Sequence, residues 1–242
     1  MKILGIESAS LVASAAIWED DLITAEYTVN HKKTHSQTLL PMIEEIVRMT
    51  ETDLSSVDAI AISAGPGSFT GLRIGAATAK GLGLALDKPL IAVPTLDATA
   101  YNIFGSKDLI CPIMDARRSQ VYNGLYRHDD SFEVIEAGRA MDMHELIKEL
   151  DEKYAGERVI FLGDGVPVYR DMIEAELHCG HIYAPAGLAR QRAASVASLG
   201  AEMLKRGETV SSDAMAPDYL RLSQAEREAA EKKAEKPAGS EA

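Results

Sequence analysis

Apolar positions come in short runs over the first thirty residues. Lys2–Glu7, Val12–Trp18 and Leu22–Val29 are apolar or alternating stretches separated by Ser-Ala-Ser and Glu-Asp-Asp, the pattern of a three-stranded meander. The period then changes. Leu39, Ile43, Ile46 and Thr50 fall at helical spacing, and Leu40, Met42, Val47 and Met49 widen the apolar stripe beyond one core-facing edge. A helix over Thr38–Met49 that packs on more than one surface is the expectation, with its start near Thr38 because Pro41 suits a first turn. Asp58–Ser63 predicts a strand, Gly71–Leu86 a helix, Leu90–Val93 a short buried strand and Thr95–Asn102 a helix. The order β-β-β-α-β-α-β-α implies a mixed sheet with covering helices.

A similar progression begins near Leu109. Strands are expected at Ile110–Asp115, Gln120–Arg127, Phe132–Ala137 and Val159–Leu162, and helices at Met143–Leu150, Pro167–Leu177 and Ala189–Lys205. The repetition reads as a degenerate duplication. It divides the chain into an N-terminal lobe (1–105), a C-terminal lobe (106–222) and a tail (223–242) rich in Glu, Lys and Ala that is expected to run into disorder.

Between the strand at 58–63 and its helix lies Gly65-Pro-Gly-Ser-Phe-Thr-Gly-Leu-Arg-Ile-Gly75. A helix opening on such a loop presents free N–H groups and the positive end of its dipole, so it is receptive to an anion. Two phosphate motifs fail here: no lysine follows Gly71 as a P-loop requires, and Thr70 stands where a dinucleotide loop needs its third glycine. Ser68 and Thr70 are better explained as helix-capping hydroxyls than as nucleophiles, since no elbow motif or paired histidine supports them. Within the helix, Gly71, Gly75, Ala79 and Gly83 recur every fourth residue as a nearly side-chain-free strip, although each interior glycine costs about 1 kcal/mol of helix propensity. Close packing must offset that, either on the chain's own sheet or on a helix of another protein.

Composition narrows the function. The chain has 242 residues and a net charge of −12 from 25 basic and 37 acidic side chains, which makes it a poor nucleic-acid binder by itself. Isolated basic pairs at Lys32-Lys33, Arg117-Arg118 and Lys205-Arg206 do not change this, although Arg117 and Arg118 remain candidates for phosphate or an acidic surface. No apolar run approaches membrane-spanning length and the start has a strand pattern, so a cytosolic protein without membrane contact is expected. Cys111 and Cys179 lack metal-ligand spacing. His31 and His35 are four apart, but Lys32 and Lys33 repel a cation and no carboxylate ligand is fixed nearby, so no metal is assigned.

Two lobes of this kind resemble the actin, sugar-kinase and Hsp70 superfamily, which implies a two-lobed, ribonuclease H-like α/β fold. The glycine stretch narrows the resemblance. With it stand Ile6-Glu7-Ser8, His35-Ser36 before Leu39-Leu40-Pro41, Pro94-Thr95-Leu96, Asp115-Ala-Arg-Arg118 with Val121-Tyr122, and Pro217-Asp-Tyr-Leu-Arg221. Together they resemble the TsaB (YeaZ-type) family over nearly the whole chain. That resemblance implies a role in forming N6-threonylcarbamoyladenosine in tRNA, as a non-catalytic companion of the catalytic subunit TsaD and the ATPase TsaE. TsaD holds a metal through His-x-x-x-His; the matching positions here are Thr95 and Thr99, which lack the nitrogen ligands.

The resemblance further implies pairing with TsaD, or self-pairing, through helices 38–49 and 71–86. It places the interface at Leu39, Met42, Ile46, Met49, Gly71, Leu72, Gly75, Ala79, Leu82 and Gly83, and the strip then reads as a helix kept slender for a second helix. tRNA is reached only through the complex. No cofactor is required, but ATP or ADP is expected near the partner junction, with Glu7, Ser8, Gly65 and Gly67 the residues nearest it. The competing functions are an ATPase or small-molecule kinase using Glu7, and a metallo-glycopeptidase.

Overall fold

The computed structural model describes residues 1–31 and 34–220; the charged tail, Arg221 and the Lys32-Lys33 pair lie outside the described residues. Strands β1 (Lys2–Glu7), β2 (Val12–Glu19) and β3 (Leu22–Asn30) form an antiparallel meander, followed by α1 (His35–Thr50), β4 (Ala59–Gly65), α2 (Phe69–Leu86), β5 (Leu90–Pro94) and α3 (Thr95–Ala100). The second half repeats the plan: β6 (Ser106–Arg117), β7 (Gln120–His128), β8 (Phe132–Asp142), α4 (Met143–Lys153), β9 (Arg158–Leu162), α5 (Val166–Glu176) and β10 (Gly180–Tyr183), with α6 (Ala193–Lys205) after it.

The two sheets have one topology. The first runs β3-β2-β1-β4-β5 and the second β8-β7-β6-β9-β10 in the same sense, each an antiparallel meander whose first strand pairs in parallel with the next βα unit. In the first lobe Ile3 lies opposite Ala59 and Ile6 opposite Ile62; in the second Leu109 lies opposite Val159.

Strand alternation decides which helices cover which face. Leu4, Ile6, Ile60 and Ile62 point to one side of the first sheet and join Leu39, Ile43 and Ile46 beneath α1 and α2. Ile3, Ala59, Ala61, Ile91 and Val93 point to the other and are covered by Val196 and Ala197 of α6. In the second lobe Leu109, Cys111 and Ile113 pack under Leu146 and Leu150 of α4 and Ile173 of α5. α3 seals the lobes together, its Leu96 and Ala100 sharing a cluster with Ile110, Met114, Tyr126 and Leu162. Fully burying each such Leu or Ile contributes about 1.5–3 kcal/mol before chain entropy is counted.

Three features correct the sequence expectation. α1 begins at His35, a turn earlier than expected, with Pro41 inside it. The missing N–H of Pro41 is tolerated because Gln37 and Pro41 are both exposed, so water can take the freed carbonyl, while the Thr38 hydroxyl donates to the Thr34 carbonyl (3.3 Å) and ties down the first turn. β10 was not anticipated: Gly180-His-Ile-Tyr183 is too short to show a period, and it exists by pairing with β9. The third concerns residues 193–220, grouped by sequence with the second lobe. They pack on the first: α6 on its sheet, Val210 bridged to Leu90, and Met215 inside the α1–α2 core.

Candidate functional site

A cleft of about 670 Å³ opens between the lobes. Its first-lobe wall is the Ala9–Leu11 loop with the opening turns of α1 and α2; its second-lobe wall holds Asp115, Arg117, Tyr122 and Asp164. Of Glu7, Ser8, Gly65 and Gly67, only Gly67 lines it.

The others lie beneath the surface, and most of their polar groups are engaged by the chain itself. Glu7 is fully buried, and its Oε1 accepts the Ala9 N–H at 2.6 Å while Oε2 has no partner. Burial pushes this carboxyl up to about 7 against the pull of the Ala9 N–H, and the charge of Asp164 adds to the rise. The Ser8 N–H donates to Ser63 Oγ (3.3 Å), and the Ser8 hydroxyl donates to the Gly71 carbonyl (3.0 Å).

The glycine loop is likewise committed internally. The Gly65 N–H donates to Thr95 Oγ1 (3.1 Å), the Ser68 N–H to the Ala9 carbonyl (2.6 Å) and the Gly71 N–H to Ser68 Oγ (3.3 Å), the last being the expected helix cap. These are donors that a phosphate cradle would need. Thr95 and Thr99 are buried, and the Thr99 hydroxyl donates to the Thr95 carbonyl at 2.6 Å. Thr95 therefore braces the loop, and Thr99 is bonded to it within α3.

Across the cleft, Arg117, Arg118 and Ser119 all adopt left-handed backbone conformations (φ 64°, 56° and 59°) to turn β6 into β7. The Asp115 carboxylate fixes the entry by accepting the Arg117 N–H (2.8 Å) and the Tyr169 hydroxyl (3.0 Å). Among the described residues neither arginine forms an ion pair. His35 is buried with Nε2 donating to the Ser10 carbonyl (2.8 Å), while His31 is exposed, so they share no ligand set. Among the described residues no group of three or more His, Cys, Asp or Glu is placed to hold a metal.

The small-residue strip of α2 faces inward. A Cβ on Gly71 would sit 2.1 Å from the Ser8 carbonyl oxygen, one on Gly75 2.1 Å from Ser8 Oγ, and one on Gly83 2.5 Å from Ser212 Oγ. The plain explanation of the glycines therefore holds: they let α2 lie on its own strand-end loop and C-terminal segment. This corrects the interface expected from the sequence. Leu39, Met42, Ile46, Gly71, Leu72, Gly75, Ala79 and Gly83 are buried in the first lobe, and Leu82 is half-buried against its core. Met49 alone of that set is well exposed, at 66%. Leu40 (54%) and Met49 are exposed on opposite flanks of α1, and Leu84 (65%) is exposed on α2 with Ala77, Gly81 and Ala85 beside it.

Sequence reasoning also missed a strap. Residues 212–220 run back along α2: Ser212 meets Gly83, Lys80 Nζ reaches the Asp213 carbonyl (3.5 Å), the Asp218 N–H donates to the Ala64 carbonyl (2.7 Å), and the Tyr219 ring lies 4.7 Å from that of Phe69, tilted by 32°. Only the cluster Pro217–Arg221 hinted at it.

Two lobes of identical strand order, closed on a cleft floored by a glycine loop, define an actin-like, ribonuclease H-like α/β protein. The family profile described as "TsaD: tRNA N6-adenosine threonylcarbamoyltransferase" matches residues 23–229. The chain is 34% identical to the tRNA threonylcarbamoyladenosine biosynthesis protein TsaB of Bacillus subtilis, over 93% of this chain and 96% of that one. It is 32% identical to TsaB of Escherichia coli, over 91% and 95%. A solved Pseudomonas aeruginosa protein described as similar to peptidase YEAZ superposes with a TM-score of 0.78 at 25% identity, covering 91% of this chain and 99% of that one. The chain belongs to the TsaB family of tRNA threonylcarbamoyladenosine biosynthesis proteins, within the wider TsaD-related group. No helix among the described residues is long and apolar enough to cross a membrane.

Proposed function

We propose that this chain serves threonylcarbamoyladenosine formation as a non-catalytic subunit that docks TsaD through the outer face of α1 and α2, with the ATPase TsaE joining the pair. The observation that carries this is the contrast between two surfaces. Leu40, Met49 and Leu84 are left in water on neighbouring helices, whereas a monomeric domain gains by covering such side chains. Beside the cleft, polar groups are used within the chain: one oxygen of Glu7 by the Ala9 N–H, Ser68 as a cap, Thr95 by the Gly65 N–H, and Thr99 by the Thr95 carbonyl, the last two where the catalytic relative has imidazoles. A nucleotide, where one takes part, fits at the junction of the two chains better than in the glycine loop. A self-dimer through the same helices is the alternative occupant when TsaD is scarce.

The test is Leu84→Asp. Leu84 is exposed, so the melting curve should stay within about 1 °C of the parent protein's. Association with TsaD by gel filtration should be lost, and reconstituted threonylcarbamoyl transfer should fall with it. Undiminished co-elution would sink this interface. The competing enzymatic function predicts ATP hydrolysis by the pure chain that Glu7→Ala abolishes; none is expected.

A further inference from the structure

Arg73 stands on the exposed side of α2, in line with Ala77, Gly81 and Leu84. Its guanidinium carbon lies 3.9 Å over the Phe69 ring, and its Nε donates to the Tyr219 hydroxyl at 3.3 Å. Tyr219 is in turn held, because its ring lies against Phe69 and the strap is anchored just before it, by the Asp218 N–H bond to the Ala64 carbonyl and by buried Met215. The two terminal nitrogens of Arg73 have no partner among the described residues. The side chain has therefore lost much of its rotamer freedom while its planar donor edge is still free. On a surface residue this is preorganisation for a ligand rather than stabilisation of the fold.

We infer that Arg73, held flat by Phe69 and Tyr219, is a docking point for a carboxylate of the protein that seats on the α1–α2 face. A planar two-donor edge matches a carboxylate with two parallel hydrogen bonds. The same fork would take a phosphate, but the chain's net charge of −12 opposes an RNA backbone, which favours an acidic side chain of a protein partner. The position agrees: Arg73 is at the cleft end of the exposed row that reaches Leu84, so a helix laid on that row passes over it. This inference rests on the proposed docking face and adds its polar anchor.

The test uses the full chain and TsaD from the same organism in titration calorimetry at low and high salt, with Arg73→Gln, Arg73→Lys, Tyr219→Phe and Leu84→Asp. Arg73→Gln should weaken association about tenfold and flatten its salt dependence, a change that a purely structural role would not produce. Arg73→Lys should recover the salt dependence but only part of the affinity, because an ammonium lacks the fork. Tyr219→Phe keeps the ring contact and removes the acceptor, and should weaken association about twofold to threefold. If Leu84→Asp abolishes association while Arg73→Gln binds like the parent, Arg73 is not an anchor and the docking face stands. If both bind like the parent, the docking face itself is wrong. If Arg73→Gln loses only retention of tRNA transcript on a filter, or only self-association, the carboxylate assignment is overturned.

Discussion

The carbonyl oxygen of Asp218 rests against Gly65 so closely that a Cβ built on the glycine would lie 2.0 Å from it. Gly65 also has φ near +135°, a backbone conformation that side-chain-bearing residues rarely adopt. Gly65→Ala should therefore destabilise the protein by at least about 3 kcal/mol in urea unfolding, through backbone strain and displacement of the strap. Gly81→Ala is the contrast. Nothing lies within 4 Å of its Cβ position, so it should stabilise by about 1 kcal/mol. Equal effects of one sign would contradict this account of α2.

The buried carboxyl of Glu7 gives stability a pH dependence of defined sign. Its value rises from 4.5 to about 7 on folding, chiefly through burial, so across that window the folded protein keeps a proton that the unfolded chain releases. Stability should fall as pH rises from 4.5 to about 7 and level off above, a loss on the order of 3 kcal/mol from this group. Glu7→Gln has no such proton. The difference between the two proteins' unfolding free energies should follow that curve; a constant difference from pH 5 to about pH 8 would refute it.

Thr95→Val leaves the Gly65 N–H buried without its acceptor. A loss of about 1–3 kcal/mol is expected, with faster hydrogen exchange at Gly65. Unchanged exchange there would show that the threonine does not brace the loop.

Cys111 and Cys179 are both buried, and burial pushes both thiols up from their ordinary range. Neither should react with a maleimide in the native protein, and both should react in denaturant, as read by intact mass. Rapid labelling of the native protein would show that the second lobe opens.

The strands and helices that could be read from sequence were those whose burial is one-sided or complete. The runs at 2–7, 12–18 and 58–63 declared themselves, and Ser68 was recognisable as a cap. What could not be read was direction. A strip of Gly71, Gly75, Ala79 and Gly83 says that something comes close, but not whether it is the chain's own Ser8 and Ser212 or another protein's helix. The wide apolar stripe of α1 was likewise real, yet Leu39 and Met42 serve the core while Leu40 and Met49 face out, and neighbours in sequence differ only by a rotation of about 100°. The early start of α1 and the strand at 180–183 depend on partners distant in sequence, Ser10 and β9, which local pattern cannot supply.

The return of α6 to the first sheet has a consequence for synthesis. The second lobe is contiguous from Ser106 to Tyr183 and encloses its own core, whereas Ile3, Ala61, Ile91 and Val93 stay uncovered until α6 has been made. As the chain leaves the ribosome, the half translated first is thus the half completed last. During that interval an apolar sheet face is open to chaperones, and also to the wrong neighbours.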